Sequence, residues 1–99
     1  MTDVETSHNP EQHRYEARID GELAGIAEYR ASDHVVTFVH TEVMSAFEGK
    51  GVGSALVRAA LDDVRAHGKK VRAVCPFVKG YVEKHSDEYG DLVVTPVAE

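Results

Sequence analysis

One cysteine and no tryptophan occur in these 99 residues. A lone thiol forms no internal disulfide and supplies too few thiolates for a structural zinc centre, so any role of Cys75 is as a thiol. No apolar run approaches the ~20 residues of a membrane-spanning helix. The opening Met1-Thr2-Asp3-Val4-Glu5 lacks the basic and apolar regions of a secretory signal, and a cytoplasmic protein with no membrane partner is expected. Basic residues are also scarce, with 11 Lys and Arg against 17 Asp and Glu and a formal net charge of -6. Neutralising nucleic-acid phosphates takes a basic surface, so no nucleic-acid partner is expected, whereas a cationic amine would be attracted. The histidines are scattered without ligand spacing, and His40-x-Glu42 alone is too small a donor set, so no metal is expected.

What is present reads as one small domain. Residues 1–12 are polar, contain Asn9-Pro10 and show no apolar period, so they read as a flexible tail before a single domain over residues 13–99. From Arg14 the residues alternate, with Tyr15, Ala17 and Ile19 on one face of a strand. Asp20-Gly21 supplies a hairpin turn, Leu23 to Arg30 a return strand with Gly25 as a bulge or close-approach point, and Ala31-Ser32-Asp33 a second turn. The β-branched stretch His34 to Val43 reads as a central strand covered on both sides, with Val36, Phe38, His40 and Glu42 sharing one face. From Val52 the period turns helical through Ala55, Leu56, Ala59, Ala60 and Val64, and Gly68 closes that helix. Lys70 to Val74 reads as a short strand, Pro76 to about Lys84 as a second helix, and Asp91 to Thr95 as a last strand.

The stretch Glu48-Gly49-Lys50-Gly51-Val52-Gly53-Ser54-Ala55-Leu56 lies where the strand pattern gives way to the helix. The first N–H groups of a helix have no intrahelical partner and sit at the positive end of its dipole, which suits a bound phosphate. Glycines bring those donors close, and Lys50 adds a positive charge. The spacing excludes a Walker loop, and Ser54 stands where the dinucleotide fingerprint needs glycine. An acyl-CoA loop of the form Q/R-x-x-G-x-G/A is matched at Gly51 and Gly53.

On these residues, together with His40-Thr41-Glu42-Val43, Cys75-Pro76-Phe77, Tyr81 and His85 to Val93, the chain resembles the GNAT superfamily of acyl-CoA-dependent N-acyltransferases, in particular its small single-domain members. It departs from that pattern at Glu48, which stands where Gln or Arg is usual. An acidic side chain donates nothing to a phosphate, so binding would lean on backbone amides and Lys50. The resemblance implies an abbreviated GNAT-like α/β (α+β) fold: a mixed, mostly antiparallel sheet with a three-strand N-terminal meander, then helix, strand, helix and strand. It also implies a gap between splayed strands, here His40–Val43 and Val71–Cys75, that admits the pantetheine arm. The implied reaction moves an acetyl group from acetyl-CoA to a primary amine, on a protein lysine or a small molecule.

The resemblance directs cofactor binding to Val43, Met44, Glu48, Gly49, Lys50, Gly51, Val52, Gly53, Ser54, Pro76 and Phe77, with a backbone N–H of Val43 or Met44 meeting the thioester carbonyl. Cys75 ends a strand and precedes a helix opened by Pro76, at the positive end of that helix, so it is a candidate proton shuttle or acyl acceptor. The alternative is a small buried hydrophobe. Tyr81 falls where the superfamily often places an acid for the leaving thiolate, and it also has the helical spacing of a core contact with Phe77 and His85. His40 and Glu42 are candidates to relay the amine proton or, equally, hydrogen-bonded core residues. Two other functional classes stay open: a CoA-binding module without turnover, and a protein-interaction domain whose glycines only turn the chain.

Overall fold

Two turns rich in Asp, Gly and Ser break an alternating apolar sequence into strands, and the computed structural model, which describes residues 3–94, pairs them accordingly. Strands β1 (Glu5–Asn9), β2 (Arg14–Ile19), β3 (Glu22–Ala31), β4 (Val35–Val43) and β5 (Lys70–Ala73) form one sheet in that order. The first four are antiparallel neighbours, and β5 runs parallel to β4. Asp20 and Gly21 both take positive φ, at 52° and 83°, as a tight hairpin turn with right-handed strand twist requires. Helix α1 (Val52–Ala66) makes the crossover from β4 to β5, and α2 (Pro76–Lys84) and the short α3 (Ser86–Tyr89) follow β5. This is the mixed, mostly antiparallel α/β arrangement expected, with Gly68 closing α1 at φ 71°.

Apolar periodicity puts both longer helices on the same face. Val52, Leu56, Val57, Ala60, Leu61 and Val64 of α1 and Val78 and Val82 of α2 are buried in one cluster with Tyr15, Ala17, Tyr29, Val36, Phe38 and Val71 of the sheet. Each buried Val or Leu side chain of the cluster contributes about 1.5–3 kcal/mol by leaving water. Gly25 lets α1 and β4 come this close: a Cβ there would stand 3.0 Å from both the Glu42 carbonyl oxygen and Val52 Cγ1. No described helix covers the opposite face of the sheet.

Four expectations need correction. Glu5–Asn9, assigned to the flexible tail, is an edge strand paired with β2. It carries no apolar period because polar groups anchor it: His8 stacks on Tyr15 with ring centroids 4.3 Å apart and bonds the Tyr29 hydroxyl, while the Tyr15 hydroxyl donates to Asp63 of α1 at 2.8 Å. The meander therefore has four strands. In β4, the register steps from Glu28 opposite His40 to Tyr29 opposite Phe38, leaving Val39 as an extra, bulged residue. The bulge inverts the alternation, so Val36 and Phe38 face the core but His40 and Glu42 face solvent, with side chains 54% exposed. The second face of β4 is accordingly open. Finally, the expected last strand reduces to a single parallel bridge between Val71 and Val93, and Thr95 lies outside the described residues. Helix α3 stands before it, held by an Arg58–Glu88 ion pair at 2.8 Å and by the Tyr89 hydroxyl donating to Asp62 at 2.7 Å.

On the open face the buried carboxylate of Glu16 accepts from Asn9 Nδ2 at 3.0 Å, Arg14 Nε at 2.9 Å and an Arg18 guanidinium nitrogen at 3.0 Å. The Asn9 amide and the two guanidinium groups hold its carboxyl below the usual carboxylate range. A pKa lowered by folding contributes stability that is complete above the unfolded-chain value, about 4.3, and is lost as pH falls through the folded value. Glu16→Gln is therefore expected to lower Tm at pH 7 by about 4–8 °C, the equivalent of ~1 kcal/mol in a chain this size. The difference from the parent protein should shrink below pH 4 in thermal melts followed by circular dichroism.

Candidate active site

The sequence of β4 and β5 lets them pair for only four residues each, Val35 to Phe38 against Lys70 to Ala73. There the Phe38 carbonyl accepts from both Val74 N and Cys75 N, at 3.1 and 2.9 Å, and the ladder ends. Bulged Val39 lies at the same point, so the chains diverge and leave a gap between His40–Val43 and Cys75. The gap is shorter than expected, because Val71 to Ala73 remain paired. At its far end Met44 N–H is taken by the Ala24 carbonyl at 2.8 Å. Alternation along the strand then turns the Val43 N–H the other way, toward the gap. Of the two expected carbonyl partners, Val43 keeps a usable donor.

Cys75 closes the gap at the start of α2. It is 5% exposed, and its thiol donates to Thr41 Oγ1 at 3.4 Å. Thr41 points inward because of the Val39 bulge, so this contact was hidden from a reading based on strict alternation. His40 Nε2 and Glu42 Oε1 are 3.4 Å apart on the helix-free side of the same strand. The pair shares a face, as expected, but it is the face opposite Val36 and Phe38, and its exposure removes the alternative of a core role. Tyr81 lies six residues beyond Cys75, roughly 9 Å of helical rise. Its half-buried ring packs on His85 at 4.3 Å and Tyr89 at 6.2 Å, and no hydrogen bond joins it to Cys75 among the described residues.

The glycine loop acquires its shape for two distinct reasons. Gly49 and Gly51 have φ of 84° and 76°, where side chains with a Cβ are strained, and left-handed residues spaced along a loop are what concave rows of N–H groups are built from. Gly53 has no unusual torsion but no room either: a Cβ there would stand 2.5 Å from Phe77 Cζ. Gly51 is the N-cap of α1 and offers no side chain to cap it. The first N–H groups of α1 are thus left for an outside acceptor, at the positive end of a 15-residue helix.

These residues border a cavity of about 210 Å³ lined by Val43, Phe47, Glu48, Gly49, Gly51, Val52, Gly53, Ser54 and Phe77. Eight of the expected cofactor residues therefore share one space, which runs from the gap at Val43 to the α1 N-terminus. Met44, Lys50 and Pro76 stand outside its lining. Phe47 was missed by the sequence reading; its signal is an apolar aromatic residue directly before a polar, glycine-rich loop. The ring of Phe77, 44% exposed, gives the cavity an apolar wall, and Glu48 puts a carboxylate at its rim.

Comparison with known proteins bears on the family and the fold. Residues 14–92 match the family described as GCN5-related N-acetyl-transferase. Protein NATD1 of Gallus gallus is 26% identical over 84 residues, covering 83% of this chain and 76% of that protein, and Protein NATD1 of Homo sapiens is 26% identical over 83% and 74%. Among solved structures, a GCN5-like protein from Staphylococcus aureus superposes with a TM-score of 0.69 over 100% of both chains at 24% identity. The ribosomal-protein-S18-alanine N-acetyltransferase from Escherichia coli superposes with a TM-score of 0.63 at 14% identity, over 86% of this chain and 76% of that one.

Proposed function

The chain belongs to the GCN5-related N-acetyltransferase family, and on that premise we propose that it moves an acetyl group from acetyl-CoA to a primary amine. One observation carries the reading: the uncapped α1 N-terminus, with positive-φ glycines at 49 and 51, opens into a cavity continuous with the Val43 side of the strand gap. Backbone donors for a pyrophosphate and a slot for a thioester arm thereby lie in line. Acetyl-CoA supplies an activated acyl group when bound. The N–H groups of Val52, Gly53 and Ser54 would hold its phosphates, Phe77 would cover its arm, and the Val43 N–H would stand as the donor for its carbonyl oxygen.

The remaining side chains divide the proton work between two faces. His40, oriented by Glu42, faces the open side of the sheet and takes the proton the amine must lose on attack. Cys75, hydrogen-bonded to Thr41, would be the proton donor for the thiolate leaving group. Tyr81, packed between His85 and Tyr89, steadies the helix that carries Cys75. The test is release of free CoA thiol from acetyl-CoA in the presence of a panel of lysine peptides and small amines. Amine-dependent release with matching acetylated product is expected. Glu48 at the cavity rim favours a second reading, a CoA-binding module without turnover; acetyl-CoA binding with no acetylation of any amine would select it.

A further inference from the structure

Six arginines occur in the chain, and four of them are ion-paired: Arg14 and Arg18 with Glu16, Arg58 with Glu88, and Arg65 with Asp91. The other two, Arg30 and Arg72, have no carboxylate partner among the described residues, and they stand in one cross-strand row. Arg30 of β3 is directly opposite Thr37 of β4, and Thr37 is directly opposite Arg72 of β5. Residues opposite one another share a face of the sheet, so Arg30, Thr37 and Arg72 leave it on the helix-free side, and Arg72, on the edge strand, also borders a cavity with Lys79, Val82 and Glu83 of α2. Two strand spacings separate the arginines, about 10 Å, a span their long side chains can close around one anion. Glu28, two residues earlier on β3, is the nearest acid on that face by register, and it makes no ion pair with Arg30. In a protein of net charge -6, Arg30 and Arg72 are two exposed cations with no described carboxylate at ion-pair distance, and the acid that borders the same cavity as Arg72, Glu83 of α2, makes no ion pair with it among the described residues.

Their position relative to the gap gives the row a purpose. Thr37 and Arg72 lie two residues before Val39 and Val74, roughly 7 Å along the strands. Val39 and Val74 are exposed apolar residues at the point where the strands diverge. From the row to the gap the open face thus runs cation, apolar stem, then the His40–Glu42 pair. An extended peptide advances ~3.3–3.6 Å per residue. We propose that the Arg30–Thr37–Arg72 row binds a carboxylate on a peptide acceptor, an Asp or Glu two to four residues from the lysine whose amine enters the gap. The lysine stem lies over Val39 and Val74. This assignment of substrate class rests on the acetyl-transfer reading. A peptide fits better than a small metabolite, because row and gap are separated along an open sheet that a short molecule does not span.

The experiment compares three fluorescein-labelled lysine peptides that differ at one position three residues from the lysine, carrying Glu, Gln or Lys. Binding is read by anisotropy and acetylation by KM, for the parent protein, R30Q/R72Q and R30E/R72E, with acetyl-CoA affinity measured on the same samples as a control of fold and cofactor loop. The Glu peptide is expected to bind the parent about tenfold more tightly than the Gln peptide, to lose that advantage in R30Q/R72Q, and to be displaced in preference by the Lys peptide in R30E/R72E. The preference should weaken at high salt. Equal binding of all three peptides by the parent, or an acidic preference that survives in R30Q/R72Q, overturns the proposal. Failure of the acetyl-transfer reading is separate and shows as charge-dependent peptide binding with no CoA release.

Discussion

Gly51→Val is expected to weaken acetyl-CoA binding by at least ~30-fold while leaving the secondary structure intact. The cause is torsional rather than steric. At φ 76° a Cβ on residue 51 would meet nothing within 4 Å, so there is room for the side chain but not for its backbone conformation. A β-branched residue held in the left-handed region costs ~1–3 kcal/mol. The loop relieves that cost by leaving the conformation, and the concave row of N–H groups opens with it. Thirtyfold is about 2 kcal/mol, within the range of the strain. Gly53→Ala offers the complementary case, because there the obstacle is Phe77 Cζ at 2.5 Å and the torsion is ordinary. The ring must move, so a smaller loss of affinity is expected, accompanied by a change in the apolar wall. Calorimetric titration of both variants checks this, with circular dichroism as the control; parent-like affinity in Gly51→Val would remove the loop from the mechanism.

Cys75→Ala should separate chemistry from binding. The thiol lies at the closed end of the gap against Thr41 Oγ1 and does not line the cavity at the α1 N-terminus. Its removal is expected to lower kcat by about 100-fold, the lower range for a proton-transfer group, with acetyl-CoA affinity changed by less than about twofold. A residue that merely fills the core predicts the reverse pattern, a lower Tm with kcat preserved. Steady-state kinetics with a saturating amine, set beside the titration and a thermal melt, distinguishes the two. Cys75→Ser tests the same point with a hydroxyl that keeps the hydrogen bond to Thr41 and is a far weaker acid.

Several features of the fold were legible because short-range chemistry specifies them. Asp20-Gly21 has the composition of a tight hairpin turn, Val52 to Val64 has the period of a half-buried helix, and Pro76 and Gly68 mark a helix start and a helix end. The anion loop was legible for the same reason, since its glycines lie at a strand-to-helix junction. Other features depend on partners distant in sequence. Nothing in Glu5–Asn9 announces a strand, because what holds it is His8 against Tyr15 and Tyr29, up to 21 residues away. The Val39 bulge is likewise a property of the pairing between β3 and β4 and leaves no mark in β4 itself. That one extra residue reverses the orientation of everything after it, which is why strict alternation places His40 and Glu42 on the face of Val36 and Phe38 and Thr41 on the other. The arginine row at 30 and 72 was invisible for a related reason: 42 residues separate two side chains that β4 brings into register.

The bound cofactor is the premise of every catalytic role assigned to this chain, and one titration tests it. Acetyl-CoA is added to the purified protein in a calorimeter, with ADP and NAD as controls. Saturable one-to-one binding in the micromolar range or tighter, with ADP weaker and NAD without response, is the predicted result. No heat of binding with acetyl-CoA, or an equal response to NAD, would contradict it and leave a family fold whose glycine loop serves only to turn the chain.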